Sequence, residues 1–202
     1  MYRTYGKRLL DLALAIPALV LLSPVMGVVA LLVRLKLGSP VLFRQERVGL
    51  DRQPFVLSKF RTMAETHDAS GNLLPDEARL TPFGAFLRST SLDELPEILT
   101  VVAGTMSLVG PRPLPIRYLP RFTAQQALRH GAKPGITGLA QVGGRNALTW
   151  EERFELDVRY VQTYSFLLDI KIILLTMRKI LTREGISQPG HATSEEFWGS
   201  QG

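Results

Sequence analysis

Apolar residues crowd the start of the chain. From Leu9 to Val33 the sequence reads LLDLALAIPALVLLSPVMGVVALLV, about 25 residues and long enough to cross a bilayer as a helix. It does not read as a secretory signal: the apolar core is too long, and no small-residue cleavage site follows before Arg34. Three features oppose a simple crossing. Arg3, Lys7 and Arg8 precede the segment and Arg34 and Lys36 follow it, so both ends ask for the cytoplasmic side. Ser23-Pro24 falls near the middle, where proline kinks or breaks a helix and Ser23 can bond the carbonyl so exposed. Asp11 lies inside the apolar run, four residues after Lys7 and on the same helical face, which pairs the acid near the interface. A re-entrant hairpin, bent at Ser23-Pro24 and leaving on the face it entered, satisfies all three. A kinked full crossing is the alternative. A buried core helix of a soluble protein fits poorly at this length.

After Gly38-Ser39-Pro40 the pattern changes. VLFRQERVG and PFVLSKFRTM read as short strands joined by a Gly-Leu-Asp turn. HDASGNLLPDEARLTP is turn-rich loop. Thr81 caps a helix over Pro82 to Arg88, with Pro82 at the first helical position. The next helix starts at Ser91, with Leu92, Leu95, Leu99 and Val102 on one face and Asp93, Glu94 and Glu97 off it. GPRPLP is rigid loop, and KPGITGLAQVGGRN is glycine-rich with a short strand over Gly138 to Val142. Trp150 to Tyr164 reads as a helix burying Phe154, Val158 and Val161. Phe166 to Arg183 is another, ended by Gly185. It is apolar on most of its circumference, which suits either a core helix or one lying at a membrane surface.

Composition sharpens this division. Hydrophobic residues make up 46% of the 202 and charged residues 21%, a combination that requires the apolar residues to be concentrated. A net charge of +6 favours anionic partners. The absence of cysteine excludes disulfides and thiolate nucleophiles, and His67, His130 and His191 show no zinc spacing.

The candidate chemistry centres on RSTSLDELPE, residues 88 to 97, where Asp93 and Glu94 stand side by side. One reading is structural: Ser91 with Glu94 forms a capping box, and Asp93 suits the positive end of the helix dipole. The other is chemical. A carboxylate can attack a phosphoryl group when cations offset the charge, and a neighbouring acid can hold a metal or move a proton. Basic residues recur in loops, and placement beside glycine and proline is what a phosphate site needs: Lys59 and Arg61 after a strand, Arg88 just ahead of the acids, Arg112 between two prolines, and Arg145 after Gly143-Gly144. No Walker loop or dinucleotide fingerprint is present. The arginines are not interleaved with aromatics, so a nucleic-acid platform is disfavoured.

KFRTM, LRSTSLDELPE, GTMSLVGPRPLP, KPGITGLAQVGGRN and the N-terminal Lys7-Arg8, Asp11, Ser23-Pro24 pattern resemble the bacterial sugar transferase family, the small monotopic phosphoglycosyl transferases. The likeness runs from Lys7 to at least Asp169. It implies a mostly helical, irregular α/β fold: a re-entrant membrane helix over residues 1–37, broken at Ser23-Pro24, and a catalytic domain over 38–202. It implies transfer of sugar-1-phosphate from a UDP-sugar to undecaprenyl phosphate, with UMP released, as a membrane step of glycoconjugate assembly. Asp93 matches the family's nucleophile, which forms a covalent phosphosugar, and Glu94 its neighbouring acid, with Mg2+ at the pair. Lys59, Arg88, Arg112, Gln141 and Arg145 are the phosphate and nucleotide candidates, and Lys7, Arg8, Asp11, Ser23 and Pro24 form the anchor. The place implied is the cytoplasmic face of the bacterial inner membrane, with both termini cytoplasmic and no nucleic-acid partner. The tail GHATSEEFWG is similar to members that use N-acetylated deoxysugars. The competing class is a non-catalytic membrane-docked module that binds anionic lipid or a partner protein.

Overall fold

A computed structural model describes residues 1–144, 148–182 and 196–199. A π-helical turn at Tyr2–Gly6 leads into α1, Lys7–Leu37. The hairpin β1 (Leu42–Val48) and β2 (Pro54–Phe60) follows, antiparallel, with Phe43 opposite Lys59. Next come the short α2 (Asp76–Arg79), α3 (Pro82–Ser89) and α4 (Glu97–Ala103). β3 (Ser107–Val109) pairs in parallel with β4 (Gly135–Thr137), and the chain between them includes the short α5 (Ala124–Ala127). The last helices are α6 (Leu139–Gly143), α7 (Trp150–Thr163) and α8 (Phe166–Thr182). The fold is mostly helical and irregular, with two small two-stranded sheets among the described residues.

The α1 helix is one element of 31 residues that continues through Pro17 and Pro24, so the expected break at Ser23-Pro24 does not divide it. The local chemistry explains this. Pro24 cannot donate to the carbonyl of Val20, and the Ser23 hydroxyl donates to it instead at 2.8 Å. At about 1.5 Å per residue the helix is about 46 Å long, more than a hydrocarbon core requires. Its length and composition suffice to cross a membrane. Yet both halves rest on the same domain. Ala15, with Leu19 and Leu22, packs on Leu57, Ile98, Val101 and Met106. Val29 and Val33 pack on Phe60 and Leu87. The opposite face leaves Leu9, Val20, Leu21, Val28, Leu31 and Leu35 exposed.

The polar residues of α1 reach partners in the domain. The pairing expected between Lys7 and Asp11 is replaced by tertiary contacts. Lys7 Nζ meets Asp169 Oδ2 at 2.7 Å and Tyr160 Oη at 2.9 Å. Asp11 Oδ1 accepts from the Ser107 hydroxyl at 2.9 Å and the Leu108 amide at 3.0 Å. Arg8 donates to the carbonyls of Val101 and Val102, which end α4. An i, i+4 pair is worth only tenths of a kcal/mol, whereas a buried charge needs a full set of partners. At the far end Gly38 takes a positive φ of 80°, and buried Arg61 donates to the carbonyls of Leu37 and Ser39. Arg61, expected among the basic residues of a phosphate site, is instead buried and closes α1.

Thr81 caps α3 as expected, accepting from the Gly84 amide at 3.0 Å. Gly84 lies so close to Thr62 that a Cβ would overlap its carbonyl, which brings α3 down onto the end of β2. The strand expected over Gly138–Val142 is instead α6, and the strand is Gly135–Thr137. In α7, Phe154 and Val158 are buried and Val161 half-buried. The inner face of α8 carries Asp169 and Ile172, both fully buried, and its outer face exposes Leu167, Leu174, Met177 and Ile180. It is thus a core helix on one side and an apolar surface on the other. The expected ending at Arg183 and Gly185 lies outside the described residues.

Candidate active site

Asp93 and Glu94 sit on a 3-10 turn, Leu92–Glu94, that opens from Ser91 in the left-handed region at φ 56°. Ser91 makes no side-chain cap, so the capping box is not formed, and α4 begins only after Pro96. The reason is competition. The Glu94 carboxylate has two cations within reach, and charge-assisted bonds outweigh one neutral amide. Lys59 Nζ, at the end of β2, lies 2.6 Å from Glu94 Oε1, and Arg112 Nη2 lies 2.8 Å from the same oxygen. Lys59 also lies 3.0 Å from Glu97 Oε1. Glu97 is 3% exposed, although the apolar spacing placed it on the outer side. Leu99, expected inside, is 50% exposed.

The acids are electrostatically distinct. Burial, and then the charge of Glu94, push the Asp93 carboxyl up to about 6 against the pull of Lys59, Arg88 and Arg112. Burial also opposes the Glu94 charge, but Arg112 and Lys59 outweigh it and hold that carboxyl well below its usual range. Burial raises the Glu97 carboxyl. Asp93 has no hydrogen bond to another described residue. The result is one permanently ionised acid locked by cations and one unencumbered acid that ionises near neutrality. Replacing Glu94→Gln removes a repelling charge and frees two cations. The midpoint of Asp93 will therefore drop below about 6, read from its carboxyl 13C shift in substrate-free, metal-free protein.

The Arg112 loop is built by close backbone packing. Gly110 donates to the Thr137 carbonyl at 2.8 Å and Gly135 to the Pro111 carbonyl at 3.0 Å. A Cβ at Gly110 or Gly135 would overlap the facing backbone. From the other side Val48 donates to Leu114 at 3.0 Å, and Arg47 Nη1 to Pro113 at 3.2 Å.

Of the candidates, Lys59, Arg88 and Arg112 surround the acid pair. Arg88 is aimed by its Nε, which donates to the Thr62 hydroxyl at 3.0 Å. Gln141 is on α6, and both ends of its buried amide lack a hydrogen-bond partner among the described residues. Arg145 lies outside them. Sequence reasoning missed Glu97, whose signal was its position three residues after Glu94, one helical turn along. It also missed Arg47, Arg129 and Asp157. Their partners are distant in sequence, and no local pattern marks them.

The site is a pair of adjacent carboxylates flanked by lysine and arginine, beside a long apolar helix. The chain belongs to the bacterial sugar transferase family, whose pattern matches residues 2–183. It is 56% identical over 194 residues to the uncharacterized sugar transferase EpsL of Bacillus subtilis, covering 96% of both chains. It is 42% identical over 183 residues to the UDP-glucose:undecaprenyl-phosphate glucose-1-phosphate transferase of Klebsiella pneumoniae, covering 86% of this chain and 39% of that one. The enzyme of the same name from Caulobacter vibrioides is 39% identical over 193 residues, covering 88% of this chain and 70% of that one. The chain thus spans nearly all of EpsL but about two fifths of the Klebsiella protein.

Proposed function

We propose that this protein transfers a sugar-1-phosphate from a UDP-sugar to undecaprenyl phosphate, giving UMP and an undecaprenyl-diphosphate-linked sugar. The observation that carries the reading is the division between Asp93, unbonded and titrating near 6, and Glu94, ionised between Lys59 and Arg112. The Asp93 carboxylate attacks the phosphorus that bears the sugar, and the bond to the UMP oxygen breaks. A phosphate oxygen of the lipid then attacks the same phosphorus and frees Asp93. Lys59, Arg88 and Arg112 offset charge on the phosphoryl oxygens in both displacements.

Mg2+ fits the donor set. Among the described residues no trio of acids or histidines gathers to enclose a metal, but magnesium typically takes one or two carboxylates and completes its shell with phosphate and water. Asp93 and Glu94 would hold it, and when bound it would neutralise diphosphate charge.

For the membrane, α1 serves as a re-entrant anchor on the cytoplasmic face of the inner membrane, with both termini cytoplasmic; it bends at Ser23-Pro24 while remaining one helix. Contact of both its halves with one domain supports this reading, as do the basic residues at both ends. The exposed apolar face of α8 rests at the same interface. The tail resemblance supports an N-acetylated deoxysugar as the group carried, although named relatives use UDP-glucose.

A panel of UDP-sugars with undecaprenyl phosphate and magnesium, read by UMP release, tests the reaction. Release with one donor or a few is expected. No release, with membrane binding intact, would return the chain to the class of non-catalytic docking modules. Single cysteines at residues 4 and 36, both exposed, test the topology, since both will label from the cytoplasmic face. Labelling from opposite faces would replace the re-entrant anchor with a full crossing.

A further inference from the structure

Three consecutive carbonyls, those of Pro111, Arg112 and Pro113, are each taken by a different donor. Gly135 N holds the first at 3.0 Å, Arg129 Nη2 the second at 2.7 Å and Arg47 Nη1 the third at 3.2 Å. The middle clamp is the unusual one. Arg129 is 2% exposed, and its charge is met by Asp157 of α7, itself 3% exposed. Its guanidinium lies near the faces of Phe122 and Phe154, at 5.8 and 5.5 Å. Nε and Nη2 both donate to the same oxygen, Asp157 Oδ2, at 3.0 and 2.6 Å. Asp157 Oδ1 is left buried with no hydrogen-bond partner among the described residues.

A pair serving the core alone gains most from two parallel bonds, one to each carboxylate oxygen. Here that arrangement is forgone, and the nitrogen that bonds Asp157 also reaches the backbone of Arg112. We propose that Arg129 and Asp157 are positioning residues that fix the peptide plane of Arg112, and so aim its half-exposed side chain at the phosphate site. This rests on the reading of Arg112 as a phosphate-binding cation. A long side chain on a free loop samples many rotamers, and holding it in register depends on holding its backbone.

The test replaces the pair with apolar residues, Arg129→Met with Asp157→Leu, because such exchanges are often neutral or stabilising. The expected result is an unchanged or raised melting temperature with kcat for UMP release lower by roughly 10–100-fold. Arg112→Ala, costly in the parent, should then add little in this background. A readout independent of turnover is the Arg112 Nε–Hε signal in 15N spectra, sharp in the parent and broadened by exchange in the double variant. Parent kcat together with an unchanged Arg112 signal would overturn the proposal. If the double variant does not fold, Arg129→Lys, which keeps the charge but loses the planar fork, is judged by the same two readouts. A parent that releases no UMP from any donor would defeat the transferase reading, and the 15N signal would still decide the clamp.

Discussion

Asp93→Asn will abolish UMP release, by at least about 10^3-fold, and will make the protein more stable at neutral pH. The two effects share one cause. Burial and Glu94 hold the Asp93 carboxyl up at about 6, against about 3.9 for an unfolded chain. The folded state therefore disfavours the charge. That penalty is absent below about pH 4, grows as the pH rises toward 6, and is complete above it. Its ceiling is on the order of 2–3 kcal/mol at pH 7.5. Asparagine cannot ionise and escapes it. A melting temperature higher by about 5 °C at pH 7.5 is expected, shrinking toward zero by pH 3.5. Turnover by the asparagine protein would end the nucleophile assignment. Equal stability at both pH values would end the electrostatic account.

The largest stability loss will come from Asp169→Ala. Asp169 is fully buried and accepts from Lys7, Tyr2 and Tyr160, so its removal leaves the Lys7 ammonium without its counter-charge. Breaking a buried pair by removing one partner costs about 3–5 kcal/mol. Denaturant melts in detergent should show that loss. Lys7→Met added to Asp169→Ala should recover much of it, because the stranded charge is then gone. A loss below about 1 kcal/mol for the single variant would mean that water reaches Lys7.

The sequence made some parts of this molecule legible and not others, and the boundary follows the range of the interaction. The hairpin around the Gly-Leu-Asp turn, the Thr81 cap and the helices of residues 150–182 depend on neighbours a few positions away, and their patterns were readable. Asp93, Glu94 and Arg112 were readable because adjacent acids and a proline-flanked arginine are rare groupings with specific chemistry. Glu97 was not. Helical spacing put it outside the apolar stripe, and cations distant in sequence, Lys59 38 positions earlier and Arg112, offset the cost of its burial. Asp11 failed in the same way: the local rule offered Lys7, while the fold supplied Ser107 and Leu108. At Pro24 the bond foreseen from the Ser23 hydroxyl is present, and with it the helix continues undivided.

Arg61 gives the anchor a second office. It holds the last carbonyl of α1 and that of Ser39, two residues beyond Lys59, the cation shared by Glu94 and Glu97. A displacement of the end of α1 would therefore reach, through this short tether, the strand that carries the lysine of the acid cluster.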